Sequence, residues 1–594
     1  MSPTDVSRPQ THVTDTDARV RRAVLRELRP GPRPALALAG AVVAATVLPL
    51  AAPQLTRIFV DDAIAGASLA HLTLVAAGYL AFAVAGQGAR VLTAWLASIL
   101  AWDGTDRLRE RLAAHALGLD MAFHAGHPPG EMIERVDGDV VAVADFVVAF
   151  LLDVVASVLL LAGVVVVVLA VDPRVGGALL AYCALAGFLM ARAQRLAVPS
   201  AARSRAAGAV MYGHMEERLA GVEDIRANGA GEHLVGRFHQ VSAAWFRADR
   251  RGAQVGTVVI AGTSVAFAAG TALVLGLAVW IGRSGALSVG TAVLLFQYAQ
   301  MVRTPFERLI DQLQHYQAAL AGMARIGALL AERRTLPDPA RPVPLPAAGP
   351  LALRFDGVGF AYADDDTEVL TGIDLTLAPG ETLGLAGRTG SGKTTIGRLT
   401  LRLYDPTRGA VLAGGVDLRD ADPLSVRRRI GVVTQDVQIF AASVRDNLTL
   451  FRPIADDARL REVLTEVGLA DWLAGLPDGL DSRLTRAAAG LSAGEAQLLA
   501  FARAFLIDPG LVVLDEAAGR LDPATERRVE RAVDRLLDGR TGVIIAHRLS
   551  SLAKVDKIAV IEDGRIVEYG RRADLAADAG SRFAGLLAAA GVTR

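Results

Sequence analysis

Long apolar runs fill the first half of the chain; shorter ones, broken by polar turns, fill the second. Six long runs stand out, at about residues 35–55, 70–102, 147–171, 175–191, 253–281 and 284–302. Each approaches or exceeds the ~20 residues with which a helix crosses ~30 Å of hydrocarbon. Five consecutive valines, from Val164 to Val168, lie in the third. They do not argue for a strand, because a lipid-exposed segment must satisfy its own backbone.

The spacing of the runs is uneven. Asp61-Asp62, Asp172-Pro173-Arg174 and Gly282-Arg283-Ser284-Gly285 make short connections. The stretches 103–139 and 192–251 are long, charged and compatible with helix, and carry Arg107, Arg109, Arg111, Arg135, Arg195 and Arg203 among others. Short loops on one side and long basic loops on the other predict six crossings with both termini in the cytoplasm. Long helices that overshoot the bilayer would give the same pattern. Arg90 and Asp153 interrupt apolar runs. An intramembrane charge is a functional candidate by default, the alternative being a side chain that snorkels to the interface or pairs locally.

Residues 1–33 are polar and rich in arginine, and residues 18–28 fit a short helix lying on the membrane surface. The segment is too long and too acidic for the head of a signal peptide. Prolines 337, 339, 342, 344, 346 and 350 mark a semi-extended linker. Beyond it the pattern becomes that of an α/β domain, with strand-like runs at 382–386, 430–434, 511–514, 542–546 and 558–561. The predicted architecture is a multidomain membrane protein: an amino-terminal segment at 1–33, a six-helix all-α membrane domain at 34–332, a linker at 333–350, and an α/β P-loop domain at 351–594.

Composition agrees with a membrane part. The chain is 52% hydrophobic and 21% charged over 594 residues, with a mean hydropathy of +0.37. Its formal net charge is zero, which argues against a nucleic-acid partner. The single cysteine, Cys183, excludes an intrachain disulfide and reads as a packed small hydrophobe.

The candidate chemistry lies in the second half. Gly387-Arg388-Thr389-Gly390-Ser391-Gly392-Lys393-Thr394-Thr395 follows a strand-like run and opens a helix-compatible stretch at 394–403. That context is what a phosphate-binding loop needs: glycines turn backbone N–H groups inward, and the helix terminus adds positive potential. Lys393 can reach β- and γ-phosphates, and Thr394 can hold Mg²⁺. The chain has three lysines, Lys393, Lys554 and Lys557, in a background rich in arginine, so position 393 wants a compact ammonium. The run 511–514 ends in Asp515-Glu516. Asp515 would face Mg²⁺, and Glu516 would orient or deprotonate the attacking water. His547 and Gln435 each follow a strand-like run. His547 could contact the γ-phosphate and the water, Gln435 the metal and the water, and Tyr362 could stack on adenine.

In this order the motifs resemble those of ABC transporters of the exporter type, in half-subunit form. The resemblance covers nearly the whole chain. It implies an aromatic A-loop at Tyr362, Walker A at 387–394, a Q-loop at Gln435, a signature at Leu491-Ser492-Ala493-Gly494-Glu495, Walker B at Asp515-Glu516, a D-loop ending at Asp522 and an H-loop at His547. In the membrane half, 130–136 and 221–227 resemble the starts of the two coupling regions. The family's mechanism implies ATP and Mg²⁺ as cofactors and two nucleotide domains closing head to tail. Each site would take Walker motifs from one chain and the signature from the other. Closure would flip a membrane cavity from inward- to outward-facing, and hydrolysis would reset it.

This sequence departs from the family's usual Leu-Ser-Gly-Gly-Gln at Ala493 and Glu495. A methyl obstructs close approach to a phosphate, and a carboxylate repels it. Gly490 is preceded by alanines where the family often has glutamate, and Gly519-Arg520 replaces a common Ser-Ala. The expected partner is therefore a second, different half-transporter, with a homodimer as the alternative. The expected cargo is a hydrophobic or amphipathic molecule of unknown identity, exported across a bacterial plasma membrane. An importer on the same fold and an ATP-gated channel are the competing readings; six spans exclude a soluble DNA-repair ATPase.

Overall fold

The computed structural model describes residues 31–283, 287–362, 367–484, 491–515, 523–546 and 548–590. The chain divides into two compact units. One comprises residues 1–117 and 129–332, the other 118–128 and 333–594.

The first unit is helical. Pro32–Ile64, Leu69–Gly118, Pro129–Val171, Pro173–Ala220 and Gly231–Ile281 are each long and apolar enough to cross a membrane. They run well past the apolar stretches that mark them, because the arginine-rich segments between continue as helix. Helices longer than a bilayer requires, the other explanation of the loop pattern, are thus present. The sixth expected span, 284–302, begins outside the described residues. It continues as Val289–Met301 and then Arg303–Ala331, with Val302 between. Pro305 accounts for the break, since it has no N–H to donate back to the carbonyl of Met301. The arm below it reaches far beyond the predicted end. The third span contains two π-helical turns, Glu134–Gly138 and Phe150–Val155; the second carries Asp153.

Side chains and glycines set the helix packing. Tyr298 is fully buried; its hydroxyl donates to the Leu50 carbonyl at 2.7 Å and accepts from Gln54 at 3.3 Å. Asp61 accepts from the Gly290 amide at 2.8 Å and the Ser288 hydroxyl at 2.7 Å. A Cβ on Gly290 would stand 2.5 Å from the Arg57 carbonyl oxygen, so only glycine permits this approach. Cys183 is half-buried against an apolar cluster that includes Val168, Leu179 and Phe267, as expected of a packed hydrophobe.

Two short helices interrupt the long ones, Met121–Gly126 and Val222–Ala227. The second coincides with the segment 221–227. The first precedes 130–136, which instead forms Pro129–Ile133 and the following π turn. Asp120 caps Met121–Gly126, which belongs to the second unit.

That unit contains two sheets. Four strands, β1 (Leu353–Phe360), β2 (Leu370–Leu377), β4 (Arg408–Ala413) and β5 (Val416–Asp417), form an antiparallel sheet in the order β2-β1-β4-β5. Six form the other: β3 (Thr382–Ala386), β6 (Ile430–Val433), β7 (Leu511–Asp515), β8 (Thr541–Ile545), β9 (Lys557–Glu562) and β10 (Arg565–Arg571), in the order β10-β9-β3-β8-β7-β6. Strands β9, β3, β8, β7 and β6 are parallel neighbours. The near-continuous apolar runs of β3, β7 and β8 are those of strands buried on both faces. The proline-rich stretch after residue 333 is extended but docked: Val343 exchanges backbone hydrogen bonds with Asp420 and Asp422, and Leu345 and Leu351 enter the core.

Candidate nucleotide-binding site

The parallel sheet gathers the motif residues at one edge. Leu385 pairs with Ile545, Asp515 with Ile545, and Leu514 with Val433. The loop after β3, Asp515, the end of β8 and Gln435 after β6 therefore emerge side by side at the carboxyl ends of the strands, the edge where parallel α/β sheets bind ligands.

The loop's glycines are there for space and for dihedral angle. Gly387 has φ +145°, and a Cβ on it would collide with the Ile561 carbonyl oxygen. Gly392 has φ +105° and caps the helix Lys393–Thr400; its Cβ would stand 2.5 Å from Leu370 Cδ2. Lys393 is buried, and its ammonium donates to the carbonyls of Gly387 at 2.7 Å and Arg388 at 2.8 Å. The loop thus wraps its own cation. The Ser391 hydroxyl oxygen is buried without a hydrogen-bond partner, an arrangement that calls for a ligand. A collar of glycines, a buried ammonium and an orphaned hydroxyl at a helix N-terminus fit a polyphosphate.

Tyr362 belongs to an aromatic cluster, edge-on to Phe360 and Tyr404 at 4.8 and 5.3 Å between ring centres. Its hydroxyl lies 3.1 Å from the Thr395 hydroxyl and accepts from Arg398 at 2.9 Å, which ties the aromatic to the phosphate-loop helix. Glu516, Asp522 and His547 lie outside the described residues, as do Gly490, Gly519 and Arg520.

The signature opens the helix Ala493–Ile507. Ser492 is its N-cap and Glu495 closes a capping box. The Glu495 carboxylate accepts from the Ser492 amide at 2.8 Å and from its hydroxyl at 2.9 Å, while the hydroxyl accepts from the Glu495 amide at 3.3 Å. A carboxylate of the chain itself therefore occupies this helix N-terminus.

Several residues here escaped sequence reasoning. Arg398 binds the aromatic through a contact visible only in space, as does the Thr395 hydroxyl, although Thr395 itself was read as part of the phosphate loop. Asp120 accepts from the Thr335 hydroxyl at 2.8 Å, from the Leu336 amide at 3.2 Å and from the Thr335 amide. Burial pushes its carboxyl up, but these donors and the Phe123 amide together hold it below the usual aspartate value. An N-cap aspartate before a short helix was a readable signal; its partners more than 200 residues away were not.

Fold and site together define a class: a helical membrane unit fused to a P-loop nucleotide-binding unit with a signature helix. Comparisons agree. Residues 36–306 match the ABC transporter transmembrane region and residues 370–519 the ABC transporter nucleotide-binding family. A multidrug efflux ATP-binding/permease protein of Mycobacterium bovis is 34% identical over 99% of this chain and 48% of its own length. A putative multidrug export ATP-binding/permease protein of Bacillus subtilis is 29% identical over 89% of this chain and 92% of its own. A bacterial Atm1-family ABC exporter solved with ATP bound shares the fold, at 24% identity and a TM-score of 0.76 over 96% of this chain and 99% of that one. The chain belongs to the ABC transporter family, with a transmembrane region and an ABC transporter ATPase region fused in one chain. It spans about half the length of the mycobacterial relative.

Proposed function

We propose that the chain is one half of an ATP-driven exporter of hydrophobic or amphipathic molecules in a bacterial plasma membrane, its nucleotide domain facing the cytoplasm and its partner a second, non-identical half. Names of the relatives, multidrug efflux and export proteins and an ATP-dependent lipid A-core flippase of Chromobacterium violaceum, support the direction and the cargo class. Gly387 to Thr395 would cradle the triphosphate and Tyr362 would stack on adenine. Thr394, Gln435 and Asp515 would hold Mg²⁺, which supplies neutralising charge to the phosphates. Glu516 and His547 would position the water.

The observation that carries the asymmetric reading is the capping box. Glu495 fills the helix terminus that should receive the partner-bound γ-phosphate, and it engages the Ser492 hydroxyl. The site built on this chain's Walker motifs and the partner's signature hydrolyses; the site built on this chain's signature holds ATP and turns over slowly. The test is ATPase activity of the purified chain in lipid, alone and with a complementary half. Low activity alone, raised at least tenfold by the partner, is the expected result. Full cargo-stimulated activity and transport by the chain alone would overturn the asymmetry.

A further inference from the structure

The two charges that interrupt the apolar helices line one cavity. It measures about 500 Å³ and draws its walls from all the helices that carry them: Thr46 from Pro32–Ile64, Arg90 and Thr93 from Leu69–Gly118, Asp153 from the π turn, and Arg308 from the arm below Pro305. At 1.5 Å per residue from the short-loop ends, Arg90 and Asp153 lie about 32 and 27 Å down their helices, and Arg308 about 28 Å below Val289 across the break at Val302. A hydrocarbon layer is about 30 Å thick. All three therefore sit at one level, where the headgroups of the leaflet opposite the short loops begin.

The charges do not cancel. Arg308 Nη1 lies 3.7 Å from Asp153 Oδ1, and the Gln312 amide donates to Asp153 Oδ2 at 2.9 Å. Arg90 donates to the Gln87 side-chain oxygen at 3.3 Å, a neutral acceptor. Two guanidinium groups face one carboxylate, so the cavity carries net positive charge. The Thr46 and Thr93 hydroxyls donate to carbonyls of their own helices; Ser157 and Thr304 add two further hydroxyls, and the guanidinium groups are the charged donors offered to a guest. Much of the rest of the wall is apolar, with Ala45, Ala94, Leu152, Ala156, Leu160 and Met301. Its size suits a small amphiphile.

We propose that this cavity is the cargo site and selects amphiphiles bearing one anionic group, anchored on Arg90 with Arg308 as second donor, the apolar body lying on the alanine- and leucine-lined wall. This rests on the export reading and narrows its cargo to a charge class. The anion can arrive as a lipid-like chain from the membrane or as a soluble amphiphilic anion.

Equilibrium binding to the full chain in phosphatidylcholine nanodiscs without nucleotide tests it. The probes are 11-(dansylamino)undecanoate, its methyl ester and the corresponding trimethylammonium compound. The carboxylate should bind roughly tenfold tighter than either, since charge-assisted bonds are the strong ones. Arg90→Gln should abolish that preference, whereas Asp153→Asn, which frees Arg308, should increase it. Opposite responses cannot both come from misfolding. Displacement by 8-anilinonaphthalene-1-sulfonate supports the site for soluble anions. An intact undecanoate preference without displacement supports it for lipid-like ones. Equal binding of the three probes, tighter binding of the ammonium, or a preference unchanged in Arg90→Gln would overturn the proposal. Because no nucleotide is present, loss of the charge preference with ATP-driven transport intact would refute this inference alone; loss of transport with the preference intact would refute the export reading.

Discussion

Glu495 does two things that a single substitution separates. As the closing residue of a capping box it satisfies the Ser492 amide, and as a carboxylate it places negative charge where a phosphate would come. Glutamine keeps the first role and removes the second. Glu495→Gln should therefore leave the melting temperature within a degree or two while raising nucleotide occupancy of the signature-side site several-fold, read by photolabelling with an azido-ATP in the assembled transporter. Unchanged occupancy would shift the blame to the Ala493 methyl. Gly387 allows no such separation. With φ +145° and the Ile561 carbonyl behind it, Gly387→Ala must displace the loop, and ATP retention by the purified chain should fall at least tenfold. Lys393→Arg should also fail to bind normally, because a planar guanidinium cannot occupy the buried position from which the ammonium serves two carbonyls.

At the scale of elements, Asp120 holds Met121–Gly126 against the chain just past Glu332 through three donors from Thr335 and Leu336. Its folded pKa lies below the unfolded value. The stabilisation it gives is therefore present above an unfolded pKa of about 3.9 and is lost as pH falls through the lower, folded value. Asp120→Asn should remove the acid sensitivity of this contact, measured as hydrogen-exchange protection of residues 121–126 between neutral pH and pH 3; equal acid sensitivity in both proteins would sink the assignment. In the membrane unit, Tyr298→Phe leaves the Leu50 carbonyl without its donor and should cost about 1–3 kcal/mol, seen as a lower denaturation midpoint in detergent. These elements were unequally legible in the sequence. The strands β3, β7, β8 and β9 announced themselves because burial on both faces leaves unbroken apolar runs; β6, at the sheet edge with Val432 exposed, was readable from its apolar composition alone. The antiparallel β1, β2, β4 and β5, and β10 at the edge of the larger sheet, went unseen, since strands like Arg565–Arg571 alternate exposed with half-buried positions and carry charge. Helix existence was readable from hydropathy, but helix ends were not: polar residues that continue a helix beyond the lipid look the same as a loop.

On the scale of the whole molecule, the candidate site could be read because its motifs follow strands of one parallel sheet, and parallel strands put their carboxyl ends along one edge whatever their order in sequence. What could not be read was anything set by tertiary proximity. Asp153 and Arg308 are 155 residues apart in sequence, and their meeting in one cavity follows only from the packing of the helices that carry them. Neither charge pairs with a local counter-ion: the cation of Asp153 lies 155 residues away, and the neighbour of Arg90, Gln87, is local but neutral.

The break at Val302 has a mechanical corollary. Arg303–Ala331 is 29 residues long, a rod of about 43 Å. A swing of about 10° about its upper end carries Ala331 through roughly 7 Å but shifts Arg308 by only about 1.5 Å. Proline thus makes the rod a lever with Arg308 near its fulcrum, so large strokes at the far end can be taken up while Arg308 hardly moves within the cavity wall.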